Sequence, residues 1–206
     1  MKIAAIILAA GRSCRFERGD KLTSDAAGVP LLRRTAMAVT TVADATIAVS
    51  GPDDHERRAA LDGLNIRHVL NPHPDSGQGR SIAVAVGQLG TEYDGAMIVP
   101  GDMAALEAPV LRALRDAFVA RHGKRIVGLS VDGEVRPPVL WPRRLFAALR
   151  ALDGEAGGKG LVQRHGDETD LIAVTPEQVW QLDDVDTAAD LDRLVARLTA
   201  AARPAP

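Results

Sequence analysis

Residues 2–8 (KIAAIIL) form a short run that is apolar at every position after Lys2. Such a run has no polar face to offer to water. It reads as a strand of a parallel sheet covered on both sides. It leads directly into Ala9-Ala10-Gly11-Arg12-Ser13-Cys14-Arg15-Phe16, and Lys21 follows. A buried strand that ends in a small-residue loop carrying two arginines and then a lysine makes an anion site. Ala and Gly let backbone N–H groups close on a ligand without side-chain clash. The cations then meet phosphate oxygens. The same residues have the outline of a secretory leader, but the apolar stretch is short, arginines follow it at once, and nothing downstream suggests secretion.

Two common phosphate loops do not fit. Gly11 is not followed by the G-K-[ST] of a Walker loop, and the G-x-G-x-x-G dinucleotide fingerprint is absent from this segment. Beyond the loop, apolar runs alternate with amphipathic stretches. Helices are expected at 30–42, 53–61, 80–89, 108–121, 143–152, 158–164 and 187–198. Strands are expected at 45–49, 67–70, 95–99, 125–130, 135–141 and 171–174. Asp132-Gly133 between two apolar runs is a hairpin signal. Pro137-Pro138 confines the second hairpin strand to an edge or an irregular position. The alternation predicts one α/β domain over residues 1–200, with 201–206 as a frayed tail. Its architecture is three-layer α/β/α, with a mostly parallel mixed sheet and one antiparallel strand.

Composition narrows the functional classes. The 206 residues carry 25 basic and 27 acidic side chains, a net charge of −2, which gives no electrostatic case for nucleic acid or an anionic membrane. No apolar run approaches the roughly 20 residues a membrane helix needs. Aromatics are 3%, so the core must rest on Ala, Val, Leu and Ile. Cys14 is the one cysteine, which excludes an internal disulfide and a Cys-rich zinc site. The five histidines lack metal-ligand spacing. The expected compartment is the cytoplasm.

In open α/β sheets, ligands bind at the carboxyl ends of the strands. Three polar loops follow strands directly, at 9–21, 71–81 and 100–103, and they should converge on one edge. Asp102, just past a buried strand and behind a Gly, is a natural Mg²⁺ ligand, since that ion binds through one or two carboxylates plus substrate phosphates. The competing reading makes it the N-cap of the next helix. Residues 71–81 (NPHPDSGQGRS) form either a ligand pocket or a plain Gly-rich turn. Asp186 is either a second metal ligand or part of a cap built on Thr187 and Asp190.

Leu8 to Lys21 resembles the L-A-[AG]-G-x-S-x-R-[MF]-…-K signature of Rossmann-like nucleotidyltransferases, and within them the molybdenum cofactor cytidylyltransferases. Further segments follow the same order. Gly28-Val29-Pro30-Leu31-Leu32 resembles G-x-P-L-L, and Val99 to Met103 resembles L-G-D-M-P. Residues 136–142 resemble G-N-P-V-L-F, residues 154–161 resemble G-D-x-G-[AG]-[RK]-x-L-L, and residues 184–191 resemble D-[IV]-D-T-P-E-D-L. The resemblance implies transfer of CMP from CTP to molybdopterin with release of pyrophosphate. It implies catalytic roles for Arg15 and Lys21, and nucleotide contacts at Leu8, Ala9, Ala10, Gly11, Arg12, Ser13, Gly79, Ser81, Pro100 and Gly101. Mg²⁺ would sit on Asp102 and Asp186, and a molybdenum hydroxylase would receive the product. Ala10 stands where guanylyltransferase relatives usually carry a second Gly, which favours cytosine. Pro100, Ala104, Glu17 and Ala188-Ala189 depart from the pattern. A GTP-using relative, another phosphorylated acceptor, and a non-catalytic nucleotide or pterin carrier remain as alternatives. Cys14 falls at a variable position, so no catalytic thiol is expected.

Overall fold

Ile3–Leu8 (β1) lies inside a seven-stranded sheet of order β3-β2-β1-β4-β6-β5-β7. The computed structural model describes residues 1–12, 15–155 and 157–201. β1 pairs in parallel with Ala45–Ser50 (β2) on one side and Gly95–Pro100 (β4) on the other. Arg67–Leu70 (β3) continues the sheet beyond β2. Glu134–Pro142 (β6) runs antiparallel between β4 and Ile126–Val131 (β5), and Thr169–Ala173 (β7) closes the far edge in parallel with β5. Among the described residues β6 is thus the one antiparallel strand of the sheet, as the hairpin signal required.

The helices are Leu31–Thr40 (α1), His55–Ala59 (α2), Gln78–Gly87 (α3), Ala108–Ala120 (α4), Phe146–Arg150 (α5), Lys159–Arg164 (α6) and Ala188–Ala201 (α7). They cover both faces of the sheet. Ile3, Ala5 and Ile7 pack with Leu31 and Leu32 of α1, Leu111 and Phe118 of α4 and Leu191 of α7. Ala4 and Ile6 pack on the other side with Ile82 and Val86 of α3, Phe146 and Leu149 of α5 and Leu161 of α6. Alternate β1 residues therefore enter opposite layers, which is why the strand is apolar throughout. The amino end of β1 is clipped on both sides: Asp94 accepts from the Lys2 N–H and Asp44 from the Ile3 N–H.

Of the two positions expected for the Pro137-Pro138 strand, the structure shows the irregular one: β6 is internal, and the β5–β6 register passes from Gly128↔Val139 to Leu129↔Arg136 and skips both prolines. Neither proline has an N–H to give, so the ladder steps around them. One detail differs from expectation, at the carboxyl end. α7 continues to Ala201, so the helix takes the first residue of the expected tail; residues 202–206 lie outside the described residues.

Candidate active site

The loops after β1 and β4 leave the sheet side by side because the ladder extends past the strands. The Ala9 N–H donates to Val49 O at 2.8 Å and the Gly101 N–H to Leu8 O at 2.9 Å. A side chain at Gly101 would stand 2.8 Å from Leu8 O and 3.0 Å from Leu32 Cδ1, so only Gly fits there. Its carbonyl accepts from Thr35 Oγ1 at 3.0 Å, a buried bond from α1. Pro100, the last residue of β4, pairs with Leu8. Asp102 follows on this pinned backbone.

Asp102 meets Lys21 and Asp186. Lys21 Nζ lies 2.6 Å from Asp102 Oδ2 and 3.0 Å from Asp186 Oδ1, and Arg15 reaches Asp186 Oδ2 at 2.9 Å. Asp102, Asp184 and Asp186 each place a carboxylate oxygen within 4.8 Å of the others. The Asp102 side chain is 17% exposed, since Lys21 lies over it. Its Oδ1 is buried and has no hydrogen-bond partner among the described residues. Burial raises its carboxyl above the ordinary value, against the pull of the Lys21 charge. Burial also works against the Lys21 charge, but the Asp102 and Asp186 carboxylates outweigh it and hold the ammonium above its usual pKa.

Asp102 does not cap a helix. The N-cap of α4 is Glu107, and Asp102 lies in the turn before it. At Asp186 the two competing readings turn out to be compatible. Thr187 and Asp190 form a reciprocal cap: Asp190 Oδ2 accepts from the Thr187 N–H at 2.7 Å, and Thr187 Oγ1 accepts from the Asp190 N–H at 3.2 Å. Asp190 Oδ2 also accepts from the Asp186 N–H at 3.2 Å, which leaves the Asp186 carboxylate to face Lys21 and Arg15. The cap aims the carboxylate.

The third loop also arrives at this edge. Arg12 Nη2 pairs with Asp75 Oδ2 at 2.5 Å, joining the first loop to the 71–81 segment. Gly79 and Ser81 both contact the scaffold. The Gly79 N–H donates to Gly154 O at 2.8 Å, and a side chain at Gly79 would stand 2.8 Å from Asp153 O. The close approach that Gly79 permits is therefore to the 153–154 backbone. Ser81 is buried, and its Oγ accepts from Asn71 Nδ2 at 3.0 Å. Ala9 and Ala10 are buried too, Ala10 in the layer shared with Ile82. Leu8 is half-buried and Gly11 exposed; Ser13 and Cys14 lie outside the described residues.

Three participants were missed from sequence. Asp184 was hidden within the acidic run 183–186, although the cluster itself was visible. Buried Arg57 pairs with half-buried Asp20 beneath the first loop, with Arg57 Nε 2.5 Å from Asp20 Oδ2. His55-Glu56-Arg57-Arg58-Ala59 reads as a solvated helix, and nothing local marks Arg57 as internal.

Residues 5–169 match the family model described as a MobA-like NTP transferase domain. The chain belongs to that family. This MobA-like chain is an enzyme, a nucleotidyltransferase, rather than the carrier held open above. It is 28% identical to a probable molybdenum cofactor guanylyltransferase of Natronomonas pharaonis, over 94% of this chain and 97% of that protein. Its fold is that of a nucleotidyl transferase from Methanothermobacter, with a TM-score of 0.81, 22% identity, and coverage of 97% of this chain and 99% of that one. It is also similar to Rv0371C from Mycobacterium tuberculosis, solved in complex with manganese, with a TM-score of 0.74, 25% identity, and coverage of 95% and 99%. Among the described residues of this MobA-like chain, no helix is long and apolar enough to cross a membrane.

Proposed function

We propose that this enzyme transfers a nucleotidyl group from a nucleoside triphosphate to the phosphate of molybdopterin and releases pyrophosphate. An acceptor phosphate oxygen attacks the α-phosphorus, and the bond from that phosphorus to the bridging oxygen of the β-phosphate breaks. Negative charge builds on oxygens throughout, so positioning and electrostatics supply the catalysis. The observation that carries the reading is the meeting of Lys21 with Asp102 and Asp186, cations and carboxylates from three distant segments at one sheet edge.

The residues fit a hard divalent cation, Mg²⁺ in this reading. The donors are carboxylate oxygens, as that ion prefers, and one of them, Asp102 Oδ1, is buried without a partner among the described residues. The manganese complex of the mycobacterial relative supports a divalent site in the family. Asp102 and Asp186 would hold the ion, with Asp184 beside them. When bound, it neutralises charge on the nucleotide phosphates. Lys21 and Arg15, now turned to carboxylates, are the side chains to take phosphate oxygens, and Arg12 is a third cation at the mouth. Among the described residues nothing lies within 4 Å of where a Gly11 side chain would stand, which is where phosphates would pass.

The donor is CTP in this reading. Its support is the Leu8–Phe16 signature, with Ala10 in the place of a second Gly. Because Ala10 is buried, its methyl acts on the base only through the placing of α3 and the 77–81 segment. The name of the Natronomonas relative favours GTP, and that is the second reading. The enzyme would work in the cytoplasm and deliver its product to a molybdenum hydroxylase. The test is pyrophosphate release from each of the four ribonucleoside triphosphates, with and without molybdopterin. Release with CTP that depends on molybdopterin supports the first reading. Preference for GTP overturns the base assignment alone, and no release with any nucleotide overturns the whole.

A further inference from the structure

We propose that Arg57 is the positioning residue of the phosphate site: it turns the Ala9–Ala10 and Gly11–Arg12 peptide groups so that the Ala10 and Arg12 N–H groups face the nucleotide. The proposal rests on the nucleotidyl-transfer reading above and adds a residue to it. Arg57 is on α2 and is 6% exposed. Its Nη1 donates to Ala9 O at 2.7 Å and to Gly11 O at 2.9 Å. Its Nε and Nη2 donate to Asp20 Oδ2 and Oδ1 at 2.5 and 3.0 Å. Nη1 also lies 3.3 Å from Asp54 Oδ2, an oxygen that accepts the Gly51 N–H at 2.6 Å.

The consequence follows from the peptide bond. In a trans peptide the C=O and the next N–H point in opposite directions. Drawing the Ala9 and Gly11 carbonyls onto the guanidinium turns the Ala10 and Arg12 N–H groups away from it. Those are donors of the kind that cradle phosphate in a backbone nest. Arg57 holds the other end of the loop as well, because Asp20 directly precedes Lys21. One guanidinium therefore sets the peptide donors and the Lys21 ammonium relative to each other. Its charge is matched locally by Asp20 and Asp54, as a buried cation requires. Its work here is geometric, and it needs the planar fork. A lysine carries the charge but cannot reach both carbonyls and both Asp20 oxygens at once.

The experiment uses the full chain, with inorganic pyrophosphate at fixed Mg²⁺ as the probe. Arg57→Lys is titrated beside the wild type, and thermal unfolding of both is followed. Where nine-tenths or more of the variant is folded at the assay temperature, unfolding raises the apparent dissociation constant by only about a tenth, so loss of stability alone does not give a fivefold change. The expected result is an Arg57→Lys protein that is folded at the assay temperature and binds pyrophosphate at least fivefold more weakly. A change of less than fivefold overturns the proposal. Backbone amide resonances of the wild type supply the second arm. Pyrophosphate should shift the Ala10 and Arg12 amides, and if both stay still while others move, the proposal falls even where Arg57→Lys does not fold. Absence of any pyrophosphate binding by the wild type would instead remove the nucleotidyl-transfer reading, and the proposal with it.

Discussion

Lys21 and Asp102 stand 81 residues apart in the chain, and their Nζ and Oδ2 atoms lie 2.6 Å apart at the carboxyl ends of β1 and β4. In the proposed reading a divalent cation and Lys21 would compete for the charge of Asp102 and Asp186 until nucleotide phosphates offer Lys21 another partner.

Lys21→Ala should cost about 1–3 kcal/mol of stability without Mg²⁺, because it leaves a buried carboxylate without its partner. Mg²⁺ should then raise the melting temperature of this variant by more than it raises that of the wild type. Thermal melts across a Mg²⁺ series check this, and an equal or smaller shift in the variant contradicts the competition. The same variant should lower kcat by about 10²–10³ if the cation acts mainly on charge that develops in the transition state.

Gly11 and Gly101 should respond in opposite ways to Ala. At Gly101 a methyl group meets Leu8 O at 2.8 Å, so Gly101→Ala should destabilise the fold by about 1–3 kcal/mol. At Gly11 nothing described lies within 4 Å, and Gly11→Ala should leave the melting temperature nearly unchanged. It should still weaken nucleotide binding by tenfold or more, because the open space is where phosphates pass. Unchanged affinity in Gly11→Ala would move the phosphate path elsewhere.

The cap at α7 gives a pH dependence. The Thr187 hydroxyl bond, then the Thr187 and Asp186 N–H groups, hold the Asp190 carboxyl below its ordinary value, against the effect of burial. A depressed folded-state pKa means that stability is present above the unfolded value and is lost as pH falls through the folded one. The stability gap between wild type and Asp190→Asn should therefore be largest near neutrality and close below the usual carboxylate range. Thr187→Ala should cost about 1 kcal/mol. Both variants should lower activity, because the cap also fixes the Asp186 N–H. Denaturant midpoints against pH read the first effect, and pyrophosphate release reads the second.

What could be read from the chain divides by range of contact. β1 and β4 announced themselves because both faces are buried and every residue is apolar. Asp132-Gly133 announced the hairpin because its backbone needs positive φ at both positions, observed at 51° and 80°. The convergence of the 9–21 and 100–103 loops followed from strand polarity alone. Arg57 was illegible because its burial depends on carbonyls 46 and 48 residues away and on Asp20, 37 residues away. Ser81 reads as a pocket residue in a Gly-rich turn; the structure shows it buried, with its hydroxyl oxygen accepting from Asn71, ten residues earlier. Whether a small polar side chain faces a ligand or the scaffold depends on packing that local pattern does not carry.

The most direct test of nucleotidyl transfer follows the label. Molybdopterin is incubated with the enzyme, Mg²⁺ and CTP (and separately GTP) carrying radioactive phosphorus at either the α or the γ position. The account predicts that α-label enters the molybdopterin product in step with pyrophosphate release, and that chelation of the metal and Asp102→Asn both abolish it. Transfer of γ-label to the acceptor, or undiminished α-label transfer by Asp102→Asn, would contradict it.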